Sequence, residues 1–378
     1  MTQPGRLMPV PEGYSVFIPD SLPPELEWTS GIVGALSDAD RAIGRLAGEG
    51  RRLPNPHVLM RPFVAREAVL SSRIEGTHAT LGELLAAEAG AVVDRSPDDL
   101  REVANYVVAL EHAMGRLPGE HLSVRLLLEA HAKLMTGVRG GHAKPGQIRD
   151  VQNWIGIPGS TPHTALYIPP PPSDLKSLLA GLEAFLRETV LPPLVQIALA
   201  HYQFEAIHPF LDGNGRVGRL LITLFLVERG VLPTPLLYLS AFFEATRSEY
   251  YARLRAVSEE GDWSHWILYF VNGVARQSED AVDRAARMLG ILDGWRLGVS
   301  GLGSDTPERV LDLLAGNPFV TARSVSAQLD VARTTASRAI EKLVDLGVLE
   351  QTDTRQRDRA YCARALLDVL EEPTKLAP

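Results

Sequence analysis

The chain has 378 residues, 45% of them hydrophobic and 22% charged. That is enough for two or three domains, each with its own core, and too apolar for a mainly disordered chain. A formal net charge of -8 opposes indiscriminate nucleic-acid binding, and the single cysteine, Cys362, excludes an intrachain disulfide and a thiolate metal cluster.

No signal-like apolar segment follows Met1, and no uninterrupted apolar run of about 18 residues occurs, so the expectation is a cytoplasmic protein with no membrane contact. Residues 1 to about 30 are rich in proline and poor in periodic apolar positions, and read as an extended arm. From about 31 to 290 helical periodicity dominates. Pro62 to Ile74 reads as a helix with Gly76 as its stop, and Thr80-Leu-Gly-Glu83 opens the next helix as a capping box. Glu75 is thereby left at the negative end of a helix dipole, disfavoured by a few tenths to about 1 kcal/mol, and calls for a cation or for water.

Gly146 to Pro172 breaks the helical pattern. Ile148, Val151, Trp154 and Ile155, a Gly/Ser/Thr/Pro turn, Leu166-Tyr-Ile and four prolines predict short strands in a projecting hairpin. Leu194 to Ile207 reads as a helix apolar all round. Val217, Leu220, Leu221, Leu224 and Phe225 mark one face of another, stopped by Gly230. Gly298 to Ser304 is the candidate linker, and a second domain is expected from about Asp305.

That domain begins with a helix at Thr306-Pro307 that ends at Gly316-Asn-Pro318. Thr321 caps a short helix to Leu329, and Arg333 to Leu346 forms a longer one ended by Gly347. Val348 to Gln351 and Arg359 to Ala363 read as strands, which completes a winged helix-turn-helix order. Between residues 321 and 364 there are eight basic and six acidic side chains. Arg333, Thr334, Thr335 and Arg338 suit a major groove, and Arg355, Arg357 and Arg359 suit DNA backbone or minor groove. Protein contact fits this module equally well.

The chemistry concentrates in His208-Pro-Phe-Leu-Asp-Gly-Asn-Gly-Arg-Val-Gly-Arg219. Gly213 and Gly215 let successive N–H groups converge just before a helix N-terminus, which makes an anion nest suited to phosphate. Arg216 and Arg219, three apart, are expected to reach the same polyphosphate. Asp212 offers a hard carboxylate for Mg2+, Asn214 can orient a phosphate oxygen, and His208 can take a proton from an attacking hydroxyl. A plain turn with a structural histidine is the competing reading, and the residues alone weigh the two about evenly.

This loop meets every specified position of the signature of the Fic family: His, any residue, Phe, any residue, Asp or Glu, Gly-Asn-Gly-Arg, two residues, Arg. The resemblance implies a mainly α Fic-type helical bundle with a β-hairpin flap, and transfer of AMP from ATP to a Tyr, Thr or Ser hydroxyl of a protein, the chain itself included. By position, His208 would be the general base, Asp212 the Mg2+ ligand, and Gly213, Asn214, Gly215 and Arg216 the phosphate holders. Arg219 would reach the γ-phosphate, with Phe210 as a buried anchor. The hairpin resembles the family's flap, which pairs with the target as an added strand. Its Asn153, Trp154, Ile155 and Gly156 would line the nucleotide, and Tyr250 and Tyr251 resemble a Tyr pair near adenine. Ser71-Ser-Arg-Ile-Glu75-Gly76 resembles the family's inhibitory motif, which implies that Glu75 pairs with Arg219 and blocks the γ-phosphate position.

The layout expected is an arm and inhibitory region over 1–110, a catalytic core over 111–297 and a winged helix over 305–378, with homo-oligomer formation plausible. Two other functions fit the same residues. One is a DNA-binding regulator that uses the Fic body as a nucleotide sensor, although sensing alone gives no use for a base at His208. The other is a de-AMPylase that uses the same site.

Overall fold

The computed structural model describes residues 4–52, 56–138, 144–301, 303–352 and 359–375. The N-terminal arm is not simply extended. Strands β1 (Gly5–Pro9) and β2 (Ser15–Pro19) pair antiparallel with Leu7 opposite Phe17. Prolines at the strand ends hide a pattern only five residues long. Val16 and Ile18 bury against Ile168, and the Phe17 amide donates to the Ile168 carbonyl at 2.8 Å, so this hairpin braces the segment expected to be the flap.

Among the described residues eleven α-helices follow: α1 (Ser30–Arg52), α2 (Pro56–Ile74), α3 (Leu81–Glu88), α4 (Pro97–Arg116), α5 (Val124–Leu134), α6 (Leu175–Arg187), α7 (Pro193–Ile207), α8 (Asn214–Glu228), α9 (Ser240–Ala245), α10 (Arg247–Glu260) and α11 (Trp263–Val299). α2 starts before the expected Pro62, which lies inside it. The Thr80 capping box is present, with the Glu83 amide donating to Thr80 Oγ1 at 3.2 Å and the Thr80 amide to Glu83 Oε2 at 2.8 Å.

α7 is the centre of the bundle. Nearly every side chain on it is buried, as its all-round apolar sequence requires, and Trp266 of α11 donates to the Ala198 carbonyl at 2.9 Å. Packed against it, α8 buries twelve residues, the polar Asn214, Arg216 and Arg219 among them. α2 also carries a polar interior: buried Glu67 accepts from Tyr106 Oη at 2.9 Å and from the Ser240 amide at 3.2 Å and hydroxyl at 2.5 Å. Burial raises that carboxyl above its ordinary range.

The C-terminal module comprises α12 (Thr306–Gly316), β3 (Phe319–Thr321), α13 (Ala322–Leu329), α14 (Arg333–Asp345), β4 (Glu350–Gln351), β5 (Ala360–Cys362) and α15 (Arg364–Glu371). Its sheet has the order β3-β5-β4, all antiparallel. β3 is a strand the sequence pattern did not reveal, since three residues are too short for a period to register. The wing strands are shorter than expected, and Arg355 and Arg357 lie outside the described residues. α11 runs to Val299, into the expected linker. The module packs on α2, α3 and α11: the Gly82 amide donates to Glu371 Oε1 at 3.0 Å, Asn317 Nδ2 to the Leu85 carbonyl at 2.9 Å, and buried Arg284 binds Asp280 and the carbonyls of Val369 and Glu372. Among the described residues no helix is long and apolar enough to cross a membrane.

Candidate active site

The loop from His208 to Gly213 joins the C-terminus of α7 to the N-terminus of α8. His208 is the C-cap of α7 at φ 50°, ψ 61°, a left-handed conformation that disfavours a non-glycine residue by about 1–2 kcal/mol and turns the chain sharply out of the helix. Its Nδ1–H donates to the Glu205 carbonyl at 3.3 Å, so the Nε2 lone pair is the one left for chemistry. Burial pulls the imidazole down to about 4, with the backbone bond to Glu205 opposing, and His208 is therefore neutral at physiological pH.

Gly213, at φ 83°, provides the second turn and the N-cap of α8, and Phe210 is buried as an anchor. The Asp212 carboxylate is half exposed and accepts from the Gly213 amide at 2.6 Å. Asn214 is engaged within the loop. Its Oδ1 accepts from the Phe210 amide at 2.8 Å and its Nδ2 donates to the Phe210 carbonyl at 2.9 Å, so the side chain closes the loop on itself and keeps one Nδ2 hydrogen uncommitted.

The two arginines do not converge. Arg219, 2% exposed, donates from Nε to Ser71 Oγ at 2.8 Å, and from one terminal nitrogen to the Ser71 carbonyl at 2.9 Å and Glu75 Oε1 at 2.7 Å. Arg216, also buried, turns toward Asp212 at 3.5 Å and Glu102 of α4 at 3.8 Å, and its Nε and one terminal nitrogen have no hydrogen-bond partner. Glu102 in turn accepts from Thr77 Oγ1 at 2.8 Å. The cation that Glu75 calls for is thus Arg219. Burial raises the Glu75 carboxyl, but the charge and hydrogen bond of Arg219, aided by Arg216, more than offset this and hold it below its ordinary range. Gly215 permits the approach, since a Cβ there would stand 2.2 Å from Glu75 Oε1.

The segment from 146 to 172 is less regular than expected. Ile155 and Tyr167 form an isolated antiparallel bridge, with mutual backbone hydrogen bonds of 2.8 and 3.1 Å, in place of two strands. Trp154, Ile155 and Gly156 are exposed, and Asn153 Nδ2 donates to the Phe210 carbonyl at 2.9 Å. Tyr251 is open to solvent beside Arg247, whereas Tyr250 is 1% exposed, so its ring belongs to the core. Its hydroxyl donates to Nε2 of buried His201 at 2.8 Å, and His201 Nδ1–H donates to the Gly218 carbonyl at 3.0 Å.

Two residues that sequence reading missed hold the segment to the loop. Arg149, 2% exposed, donates to the carbonyls of His208 at 2.9 Å, Val151 at 3.1 Å and Pro170 at 2.5 Å. His131 stacks on Phe210 with ring centroids 3.7 Å apart, donates from Nε2 to the Asp212 carbonyl at 3.0 Å, and accepts at Nδ1 from the Gly146 amide at 3.0 Å. Arg149→Met is expected to leave three carbonyls without their donor and to lower the unfolding free energy by about 3 kcal/mol, measured by urea denaturation. The backbone at His208 should loosen with it, since its carbonyl loses the Arg149 donor.

Residues 33–115 match the Fic/DOC family N-terminal domain, 121–226 the Fic/DOC family domain, and 309–353 the IclR helix-turn-helix domain. The protein adenylyltransferase Fic of Drosophila erecta is 32% identical over 219 residues, which is 56% of this chain and 39% of that protein. The protein adenylyltransferase fic-1 of Caenorhabditis briggsae is 31% identical over 225 residues, again 56% of this chain and 39% of that protein. The matched region thus spans about two fifths of the length of these curated relatives. Among solved structures, a Fic family protein from Desulfovibrio desulfuricans superposes with a TM-score of 0.61 at 22% identity, covering 90% of this chain and 98% of that one. A Fic domain containing signaling protein from Bacteroides thetaiotaomicron gives 0.52 at 21% identity, covering 68% and 96%. These likenesses establish the fold.

Proposed function

Because the chain belongs to the Fic/DOC family, we propose that it is a protein adenylyltransferase, moving AMP from ATP to a Tyr, Thr or Ser hydroxyl of a protein, itself included, and held back by Glu75. The observation that carries this reading is the pairing of Glu75 with Arg219 beside a loop whose histidine keeps Nε2 free.

His208 Nε2 takes the proton of the target hydroxyl as its oxygen attacks the α-phosphorus; the new O–P bond forms, the bond to the β-phosphate oxygen breaks, and pyrophosphate leaves. The N-terminal amides of α8 receive the phosphates. The half-exposed Asp212 carboxylate suits Mg2+, which takes one or two protein carboxylates and completes its shell with phosphate and water. Bound there, the ion would neutralise phosphate charge. Arg216, with unpartnered buried donors beside Asp212, is suited to hold that carboxylate or a phosphate oxygen. Glu75 at Arg219 occupies the place of the terminal phosphate, so nucleotide cannot seat in line for attack until Glu75 leaves. ATP labelled at the α-phosphate is expected to label protein, and ATP labelled at the γ-phosphate is not; label from the γ position alone would make the chain a kinase and refute this reading.

The exposure of Arg333, Thr334, Thr335 and Arg338 on one end of α14, together with the IclR helix-turn-helix match, favours a second activity, binding of duplex DNA by the C-terminal module. Affinity for duplex should fall steeply as salt rises, and Arg333→Ala with Arg338→Ala should weaken it. Salt-independent or absent binding would leave the module a protein-contact domain.

A further inference from the structure

The side chain of Glu205, one helical turn before His208 on α7, plays no part in the reaction as described, although its carbonyl holds His208 Nδ1. Its Oε1 is buried and has no hydrogen-bond partner. It lies so close over α8 that a Cβ on Gly218 would stand 2.3 Å from it. Gly215, one turn earlier on the same helix, carries Glu75 Oε1 in the same way. Two carboxyl groups therefore rest on a floor of α8 that only glycine leaves open, and the guanidinium hydrogen-bonded to Glu75 comes from that same helix.

One guanidinium balances one carboxylate. Glu75 holds the ion pair, and a second anion beside it would be left without a counter-charge in a buried place. Burial raises the Glu205 carboxyl to about 8, with the charge of Glu75 adding and that of Arg219 opposing. Glu75 is moved the other way. The resting site thus holds Glu75 ionised and Glu205 as a neutral acid. The groups facing Glu205 are Arg219 from α8, Glu75 from the turn after α2, and Tyr250 from α10, whose hydroxyl burial and the nearby Glu205 keep neutral.

We propose that Glu205 is a further nucleotide-positioning residue, whose neutral carboxyl donates its O–H to an oxygen of the terminal phosphate once that phosphate has replaced Glu75 at Arg219. The inference rests on the reading that nucleotide and Glu75 compete for Arg219. Exchange of one anion for another leaves the electrostatic surroundings of Glu205 unchanged in sign, so the acid stays neutral and serves as donor. A phosphate oxygen is the acceptor that its orphaned position lacks in the resting state. Once Glu205 ionises it repels that phosphate, and affinity falls as pH rises.

The test is calorimetric binding of ATP to Glu75→Gly, Glu75→Gly/Glu205→Gln and Glu75→Gly/Glu205→Met from pH 6.5 to about 9.5, with AMP transfer from α-labelled ATP followed in parallel. In Glu75→Gly the Kd should rise toward tenfold per pH unit, beginning at or below about pH 8 because the charge of Glu75 is gone. With Gln, which keeps a donor and cannot ionise, Kd should stay flat. With Met, which keeps the bulk and lacks the donor, Kd should be raised about tenfold at pH 7. Identical pH profiles in all three, with transfer by Glu75→Gly intact, would overturn the role of Glu205 alone. Loss of both binding and transfer in Glu75→Gly would instead overturn the adenylyltransferase reading beneath it.

Discussion

Glu75→Gly is expected to raise AMP incorporation about thirtyfold over the unaltered chain at saturating ATP and Mg2+, read as label from the α-phosphate in the protein band. The magnitude follows from the ion pair. Arg219 is 2% exposed and Glu75 36%, so the pair is neither a surface salt bridge nor fully buried. Breaking a buried pair costs roughly 3–5 kcal/mol and an exposed one about 0.2–1, and solvent at Glu75 screens the interaction toward a coupling of about 2 kcal/mol. At about 1.4 kcal/mol per decade this is a factor near thirty in the fraction of sites free to seat a terminal phosphate. Arg219 does not collapse in the variant, because Ser71 still binds it through a hydroxyl and a carbonyl. High salt should narrow the gap between the two proteins, since it weakens the partly exposed pair in the unaltered chain.

His208→Ala placed on Glu75→Gly is expected to reduce transfer by 10²–10⁴-fold, the usual loss when a positioned base is removed, while calorimetry still finds ATP bound. The imidazole lies outside the phosphate nest, so its removal touches the step and not the nucleotide's seat. The pH profile carries the same assignment. Burial lowers the conjugate acid of His208 to about 4, hence the base is protonated and inactive below that value and free above it. The rate of Glu75→Gly should climb as pH rises through about 4 and stay level through neutrality. A rise centred near 6.5, the ordinary histidine range, would place the base in a far wetter site than this one.

The loop from His208 to Arg219 was legible because its residues are contiguous: the turn, the helix start and the chemistry are written in one run. Glu75 was legible through the resemblance of Ser71 to Gly76 to the inhibitory motif, since at a helix C-terminus water can compensate a carboxylate as well as a cation can. The directions of the side chains were not. Asn214 closes on Phe210 and Arg216 turns to Asp212, partners four residues away that compete with a ligand, and to Glu102 of α4, which lies far off in sequence. The same holds for Arg149 and His131, ordinary residues in sequence that become braces only when α5 and the 146–172 segment are folded against the loop. Tyr250 illustrates the limit of aromatic reading, for a buried ring bonded to His201 and an exposed one beside a ligand have identical spacing in the chain. The N-terminal hairpin and β3 were missed because three to five residues give too little alternation to outweigh nearby prolines and glycines.

The central claim is that a triphosphate, once Glu75 is gone, sits against Arg219 with its α-phosphorus open to a hydroxyl deprotonated by His208. Intact-mass spectrometry of purified Glu75→Gly after incubation with ATP and Mg2+ tests it most directly, alongside Glu75→Gly/His208→Ala. The first protein should gain the mass of one or more AMP groups, mapped to hydroxyl side chains, and the second should gain none. An unchanged mass in both, with ATP bound in both, or equal gains in the two, would contradict the account.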